Sequence, residues 1–104
     1  MKYSVVLSPE ALNDIDGIYS YIAVALCEKE IAAKMIRQIE NSILSLGEMP
    51  KRFKLYDEEP WKSRGLHVMN VKKYLVFYIP DDNTQTVNVL RVIYGSRDID
   101  NELN

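Results

Sequence analysis

The chain has 104 residues, of which 47% are hydrophobic and 27% charged, a composition typical of one globular domain spanning residues 1–104. A single cysteine excludes an internal disulfide, and no apolar run approaches the roughly 20 residues of a membrane span, so we expect a cytoplasmic protein. The formal net charge of −2 excludes the strongly basic balance of a protein that binds nucleic acid over its whole surface.

The first half of the chain predicts a strand followed by two helices. Residues 2–7 are β-prone and end at Ser8-Pro9-Glu10, which supplies an N-cap, a first-turn proline and an acidic residue at the positive helix end. Two apolar stripes at helical spacing follow, separated by the polar residues 27–30. The first is Leu12, Ile15, Ile18, Tyr19, Ile22, Ala25 and Leu26, and the second is Ala32, Met35, Ile36, Ile39, Ile43 and Leu46. With Gly47 as helix C-cap and Pro50 as a stop, we predict an antiparallel helical hairpin.

The second half predicts an irregular segment and then three strands. Residues 51–63 are charged and contain Pro60. The strands are predicted over residues 66–71, 74–79 and 86–94, joined by Lys72-Lys73 and by a turn at residues 80–83. Short connections force antiparallel pairing, and a short polar tail follows. The predicted fold is therefore α+β, in the order β-α-α-β-β-β, with the helical hairpin packed on a twisted, mainly antiparallel sheet.

Positive charge is concentrated in the middle of the chain. Residues 51–73 hold seven basic and three acidic side chains, a net charge of +4, whereas residues 1–50 and 74–104 each carry −3. Lys51, Arg52 and Lys54 lie in the irregular part of this segment and are candidates for binding a target or a phosphate. The alternative is an ordinary solvated loop.

Arginines also flank the predicted sheet. Arg64 precedes the strand at 66–71, and Arg97 follows the strand at 86–94, so the two are expected to converge on one edge of the sheet and bind phosphate or carboxylate. His67 and Tyr94 are the nearby groups able to transfer or donate a proton. The alternatives are ion pairs, of Arg64 with Glu58–Glu59 and of Arg97 within the tail, and ordinary strand positions for His67 and Tyr94.

Metal and cofactor chemistry is not indicated. One histidine and one cysteine provide no set of paired metal ligands. The sequence has neither a glycine-rich phosphate loop nor the Gly-x-Ser-x-Gly turn of a serine hydrolase. We therefore expect no metal and no cofactor.

Four short motifs follow one another along the chain. They are Ser8-Pro9-Glu10-Ala11 at the helix start, Met49-Pro50 ahead of Arg64-Gly65-Leu66, Tyr74-Leu75-Val76-Phe77-Tyr78, and Val92-Ile93-Tyr94-Gly95-Ser96-Arg97-Asp98. Together with the order of elements, this set resembles the RelE/ParE superfamily of type II toxin–antitoxin toxins, of the plasmid-stabilisation type. The resemblance covers nearly the whole chain.

The resemblance implies a bacterial cytoplasmic toxin that inhibits growth and is neutralised by a cognate antitoxin, whose C-terminal segment orders as it lies on the toxin. Two activities occur in the superfamily. RelE-like members are mRNA endonucleases that cut on the ribosome, and ParE-like members poison DNA gyrase.

The residues divide between these two activities. By resemblance, Arg64 and Arg97 match two arginines of the nuclease branch. Lys51, Arg52 or Lys54 would take the place of the lysines of that branch, and His67 would substitute as acid or base. The tyrosine that follows the last arginine in RelE-type nucleases is missing, and Arg97-Asp98 is more like the ParE side. The prediction is therefore a ParE-like toxin acting on gyrase; the alternatives are a metal-independent endoribonuclease acting on ribosome-bound mRNA and a non-toxic interaction domain.

Overall fold

The computed structural model describes residues 2–96 and 99–103. Its helices are α1 (Pro9–Ser20), continued by a π-helical turn (Tyr21–Ala25), α2 (Lys29–Leu44), two short 3-10 turns (Ser45–Gly47 and Pro50–Arg52), and α3 (Ile99–Leu103). Its strands are β1 (Ser4–Leu7), β2 (His67–Val71), β3 (Tyr74–Asp81) and β4 (Thr86–Tyr94). The predicted α+β fold is confirmed, with α3 as an additional element.

The four strands form one mixed sheet in the order β1-β4-β3-β2. Strands β2, β3 and β4 form the predicted antiparallel meander, with a register shift between Phe77 and Tyr78. Strand β1 pairs in parallel with β4, from Ser4 opposite Thr86 to Leu7 opposite Val89. Parallel pairing is possible here because the whole helical hairpin and the meander separate the two strands in sequence.

Both faces of the sheet are covered. The helical hairpin packs on one face, where Ile15, Ile39 and Ile43 meet Val76 and Tyr78. On the opposite face, Leu66, Phe77 and Ile93 are covered by side chains of the 54–65 segment and of α3, namely Tyr56, Trp61, Ile99 and Leu103. The sheet is therefore the middle layer, and the residues at its ends are the ones left open to partners.

The apolar stripe predicted for the first helix is only partly buried. Ala11 and Ile15 face the core, whereas Leu12 is 53% and Tyr19 41% exposed. The small Ala11 lets the backbone of α1 approach the sheet closely. The buried stripe of α1 therefore begins at Ala11 and not at Leu12. The stripe predicted for the second helix is confirmed, with Ile39 and Ile43 buried.

Gly47 is not the left-handed helix cap that the sequence predicted. Helix α2 passes into a 3-10 turn at Ser45, and the left-handed residue is Met49, with φ 49°. Gly47 is required for close approach instead, since a Cβ added there would lie 2.9 Å from the carbonyl oxygen of Tyr3.

Two predicted boundaries on the sheet side are wrong. Pro80 and Asp81 continue β3, paired with Val87 and Thr86, and the turn comprises residues 82–85. Proline fits there because β2 does not extend to this level, so β3 has one neighbour at Pro80. The tail predicted as polar contains α3, since apolar residues at positions 99 and 103, one helical turn apart, pack against the sheet.

Candidate functional site

Lys51 is engaged within the chain. Its ammonium forms an ion pair with the carboxylate of Asp82, whose other oxygen accepts a 2.6 Å hydrogen bond from the hydroxyl of Tyr3. These two bonds lower the pKa of Asp82, and the bond to Asp82 raises the pKa of Lys51. Lys51 thereby ties the segment after α2 to β1 and to the β3–β4 turn.

Arg52 acts as a helix cap. Its guanidinium donates to the carbonyl oxygens of Glu48 at 2.6 Å and Ser45 at 3.3 Å, and to the hydroxyl of Ser45 at 2.8 Å. These bonds hold Arg52 against the turn that follows α2, where the carbonyl oxygen of Ser45 also accepts the backbone N–H of Glu48. All three side chains are exposed, but Lys54 has neither an acidic partner nor a carbonyl acceptor for its ammonium within residues 2–96 and 99–103.

Arg64 lies on the surface of the segment that covers the second sheet face. Its guanidinium carbon is 5.1 Å from the centroid of the Trp61 ring, a cation–π contact. The ion pair expected with Glu58–Glu59 is not formed: Glu59 accepts from the backbone N–H and the hydroxyl of Ser63 instead. Trp61 packs against the sheet and anchors the segment there, and Arg64 keeps its guanidinium donors available.

His67 occupies a structural position on the helix-facing side of the sheet. It is 9% exposed, and its Nδ1 lies 2.8 Å from the carbonyl oxygen of Gly65. Because a carbonyl oxygen only accepts, Nδ1 carries the proton in this contact. The ring stacks on Tyr78, whose hydroxyl donates to the carbonyl oxygen of Pro50 at 2.7 Å. The alternative of a partly buried strand residue therefore describes His67.

The start of β2 and the end of β4 lie at different levels of the sheet, and the convergence of Arg64 with Arg97 stays a prediction. Strands β2 and β4 both pair antiparallel with β3 and so run in the same direction, which places Arg64 at the start of β2 and Tyr94 at the far end of β4. His67 and Tyr94 lie opposite residues of β3 that are four positions apart, about 13 Å along the strand. Arg97 lies outside the described residues.

Tyr94 instead borders a groove between the helical hairpin and the end of the sheet. The groove has a volume of about 970 Å³ and a mostly apolar lining, and Tyr21, Leu26 and Ile31 on its helical side are each more than half exposed. On the sheet side, the rings of Tyr74 and Tyr94 meet edge to face at 5.7 Å. Burial, and the nearby phenols of Tyr94 and Tyr21, raise the pKa of Tyr74.

An ion cluster closes the groove on the β4 side. Arg91 donates to Asp14 through Nε at 2.7 Å and Nη2 at 2.9 Å, and to the carbonyl oxygen of Glu102 at 2.6 Å. Asp14 also accepts the backbone N–H of Val92, at 2.9 Å, where β1 no longer pairs with β4. Sequence reasoning missed this cluster, although a lone arginine inside the apolar run of β4 is the signal that indicates it.

The sequence matches the model of the ParE toxin of type II toxin–antitoxin systems, from parDE, over residues 5–99. The chain belongs to the ParE toxin family. The match spans β1 to the start of α3 and includes every candidate residue above. Comparison with curated protein sequences gives no significant match.

Solved structures share the fold of this ParE family member. The chromosomal ParDE system of P. aeruginosa superposes with a TM-score of 0.73 at 18% identity, covering 89% of this chain and 96% of the other. The RelBE2 complex of Mycobacterium tuberculosis gives 0.64 at 23% identity, covering 90% and 99%. The E. coli RelBE complex gives 0.61 at 17% identity, covering 91% and 99%.

None of the helices within residues 2–96 and 99–103 has the length and apolar character to cross a bilayer. Over the same ranges, no three histidine, cysteine or acidic side chains are grouped to hold a metal ion.

Proposed function

We propose that this protein is a growth-inhibiting cytoplasmic toxin that acts by binding a protein target, DNA gyrase, and that a cognate antitoxin neutralises it. The activity needs no RNA cleavage. The observation that carries the proposal is the separation of His67 from Tyr94 along the sheet, in a chain of the ParE family.

RNA cleavage requires a base, an acid and a cation around one phosphate. His67 is pinned by Gly65 and stacked inside the fold, and about 13 Å of strand separates its level from that of Tyr94. Arg52 uses its donors to cap α2, and the ammonium of Lys51 is paired with Asp82. His67 and Tyr94 are therefore too far apart along the sheet to serve one phosphate as acid and base, and Lys51 and Arg52 are engaged within the fold.

Target contact is assigned to the cations that remain available. Arg64 presents its guanidinium beside the Trp61 ring, and Lys54 is exposed on the same segment. An arginine backed by an aromatic ring is a common hot spot of protein interfaces, because the ring orders the guanidinium without neutralising it. Arg97 completes this set by resemblance.

The antitoxin is proposed to occupy the groove. An exposed apolar surface beside a concavity of this size is typical of a site that takes an amphipathic segment. The M. tuberculosis and E. coli structures of the same fold are toxin–antitoxin complexes, and a ParE family member is expected to have such a partner.

The proposal is tested by expressing the chain in bacterial cells alone and together with the product of the neighbouring gene. Expression alone is expected to arrest growth with DNA breaks and an SOS response, while translated transcripts stay intact; co-expression is expected to restore growth. Arg64→Gln should weaken the arrest, and Arg37→Gln, an equal change on the exposed side of α2, should not.

Two results would contradict the proposal. Codon-positioned cuts in translated mRNA, lost in Arg64→Gln, would establish the endonuclease alternative. Normal growth with the intact protein present would establish the non-toxic interaction domain.

A further inference from the structure

The connection between β2 and β3 has an unusual backbone. Lys72 adopts φ 57°, in a two-residue turn between Val71 and Tyr74 that pair with each other. Glycine adopts this conformation freely, whereas a side chain there costs about 1 kcal/mol.

Neither Lys72 nor Lys73 is neutralised by the described part of the chain. Both are exposed, both line the groove, and neither has an acidic partner within residues 2–96 and 99–103. Beside them, Tyr21, Tyr74 and Tyr94 present phenols for which the structure gives no hydrogen-bond acceptor within those ranges. We name these five residues the lysine–tyrosine rim.

The acidic side chains and the lysines of the groove lie at different levels of the sheet. Asp14 and Glu102 are held by Arg91, which pairs with Phe77 of β3, whereas the lysine–tyrosine rim lies around the β2–β3 turn, where Tyr74 pairs with Tyr94 at the end of β4. The rim therefore has two ammonium groups without an acidic partner in the described residues, next to neutral hydroxyl donors. Burial keeps the pKa of Tyr74 above its ordinary value, so its hydroxyl stays a donor at neutral pH.

We propose that the lysine–tyrosine rim is a carboxylate-binding site that receives the acidic end of the polypeptide segment docked in the groove. The site rests on the proposed docking of the antitoxin. Apolar side chains of the segment fill the groove, its carboxylates accept from the lysines and the phenols, and its opposite end avoids the carboxylates of Asp14 and Glu102. The charge difference thereby sets the direction in which the segment lies.

The test uses three synthetic helical peptides of about 20 residues with one common apolar face. They differ only in their C-terminal run, which is glutamate, glutamine or lysine. Their dissociation constants for the full chain are measured by fluorescence anisotropy. Charge-assisted hydrogen bonds predict that the glutamate peptide binds about tenfold more tightly than the glutamine peptide, with the lysine peptide weakest.

Two double variants with the same change in net charge test whether the preference for glutamate comes from the rim. Lys72→Gly with Lys73→Gln removes the charges and suits the turn, and should reduce the preference for glutamate to less than about twofold. Lys34→Gln with Arg37→Gln makes the same change in net charge on α2, outside the groove lining, and should leave the preference intact. Urea unfolding of both variants verifies that they fold.

Any other outcome contradicts the proposal that the lysine–tyrosine rim binds carboxylates. Equal binding of the glutamate and glutamine peptides, or a preference that survives Lys72→Gly/Lys73→Gln, shows that the rim does not bind carboxylates. If Ile31→Asp abolishes the binding of all three peptides in that case, docking in the groove still stands. If no peptide binds, both rim and groove docking are wrong, whereas the gyrase-directed activity is judged separately by growth arrest.

Discussion

Asp14 shows how one side chain on the polar side of a helix connects three elements. It accepts from the Arg91 guanidinium and from the Val92 backbone, and Arg91 in turn holds α3 through Glu102. The side chains of Asp14 and Arg91 are only 15% and 24% exposed, so solvent screens the pair weakly.

Asp14→Ala is expected to lower the free energy of unfolding by about 2–4 kcal/mol, because it removes the acceptor of the Arg91 Nε–H and of the Val92 backbone N–H and leaves Arg91 with Glu102 alone. Urea denaturation measures the change. Asp16→Ala, which removes an exposed carboxylate two residues away, should change stability by less than about 0.5 kcal/mol. Equal effects of the two substitutions would show that the cluster does not stabilise the fold.

The buried phenol of Tyr78 is expected to make the stability of the fold depend on pH in the alkaline range. Burial raises the pKa of Tyr78 to about 12, whereas in the unfolded chain the phenol ionises near its ordinary value of 10. The stabilisation from the neutral phenol is therefore complete below pH 10 and is lost as the pH rises towards 12.

Tyr78→Phe removes the hydrogen bond to Pro50, and should cost about 1–3 kcal/mol at neutral pH. It should also flatten the fall in stability between pH 10 and 12. Urea titrations at several pH values measure both effects, with Tyr19→Phe, on the exposed side of α1, as the control. An unchanged alkaline profile in Tyr78→Phe would assign that fall to other groups.

At the scale of elements, a substitution in the β2–β3 turn is expected to change stability and peptide binding in opposite directions. Lys72→Gly should stabilise the fold by about 0.5–1 kcal/mol, because glycine relieves the positive φ, while it weakens the binding of the acidic peptide. Gln85→Gly, at φ 52° in the β3–β4 turn, should stabilise similarly without affecting peptide binding. Thermal unfolding and anisotropy on the same samples measure both; a loss of stability in Lys72→Gly would show that the lysine is not strained.

The elements that sequence reasoning located correctly are those fixed by local patterns. The N-cap Ser8 accepts from the N–H of Ala11 as expected, α2 follows its apolar period, and β4 begins and ends at the predicted residues. Tertiary contacts decide the rest: which side of α1 is buried, why Gly47 is needed, and where α3 packs. Single-chain periodicity does not contain that information.

At the scale of the whole molecule, the order of elements predicted the fold and the family, whereas the candidate residues did not predict the groove. The antiparallel meander already implied that β2 and β4 run in the same direction, so that the start of β2 and the end of β4 lie at different levels of the sheet. The groove and its rim join α1, α2 and the hairpin turn. Such a surface has no local sequence pattern and becomes visible only when the tertiary contacts are known.

We propose that this ParE family member acts on gyrase and not on RNA. The most direct measurement adds the purified protein to purified DNA gyrase with relaxed plasmid DNA and ATP, and follows supercoiling and DNA cleavage by gel electrophoresis. We predict that supercoiling falls and cleaved DNA accumulates as the protein concentration rises, and that Arg64→Gln requires more protein for the same effect. Unchanged supercoiling with no cleaved DNA at saturating protein would contradict the claim.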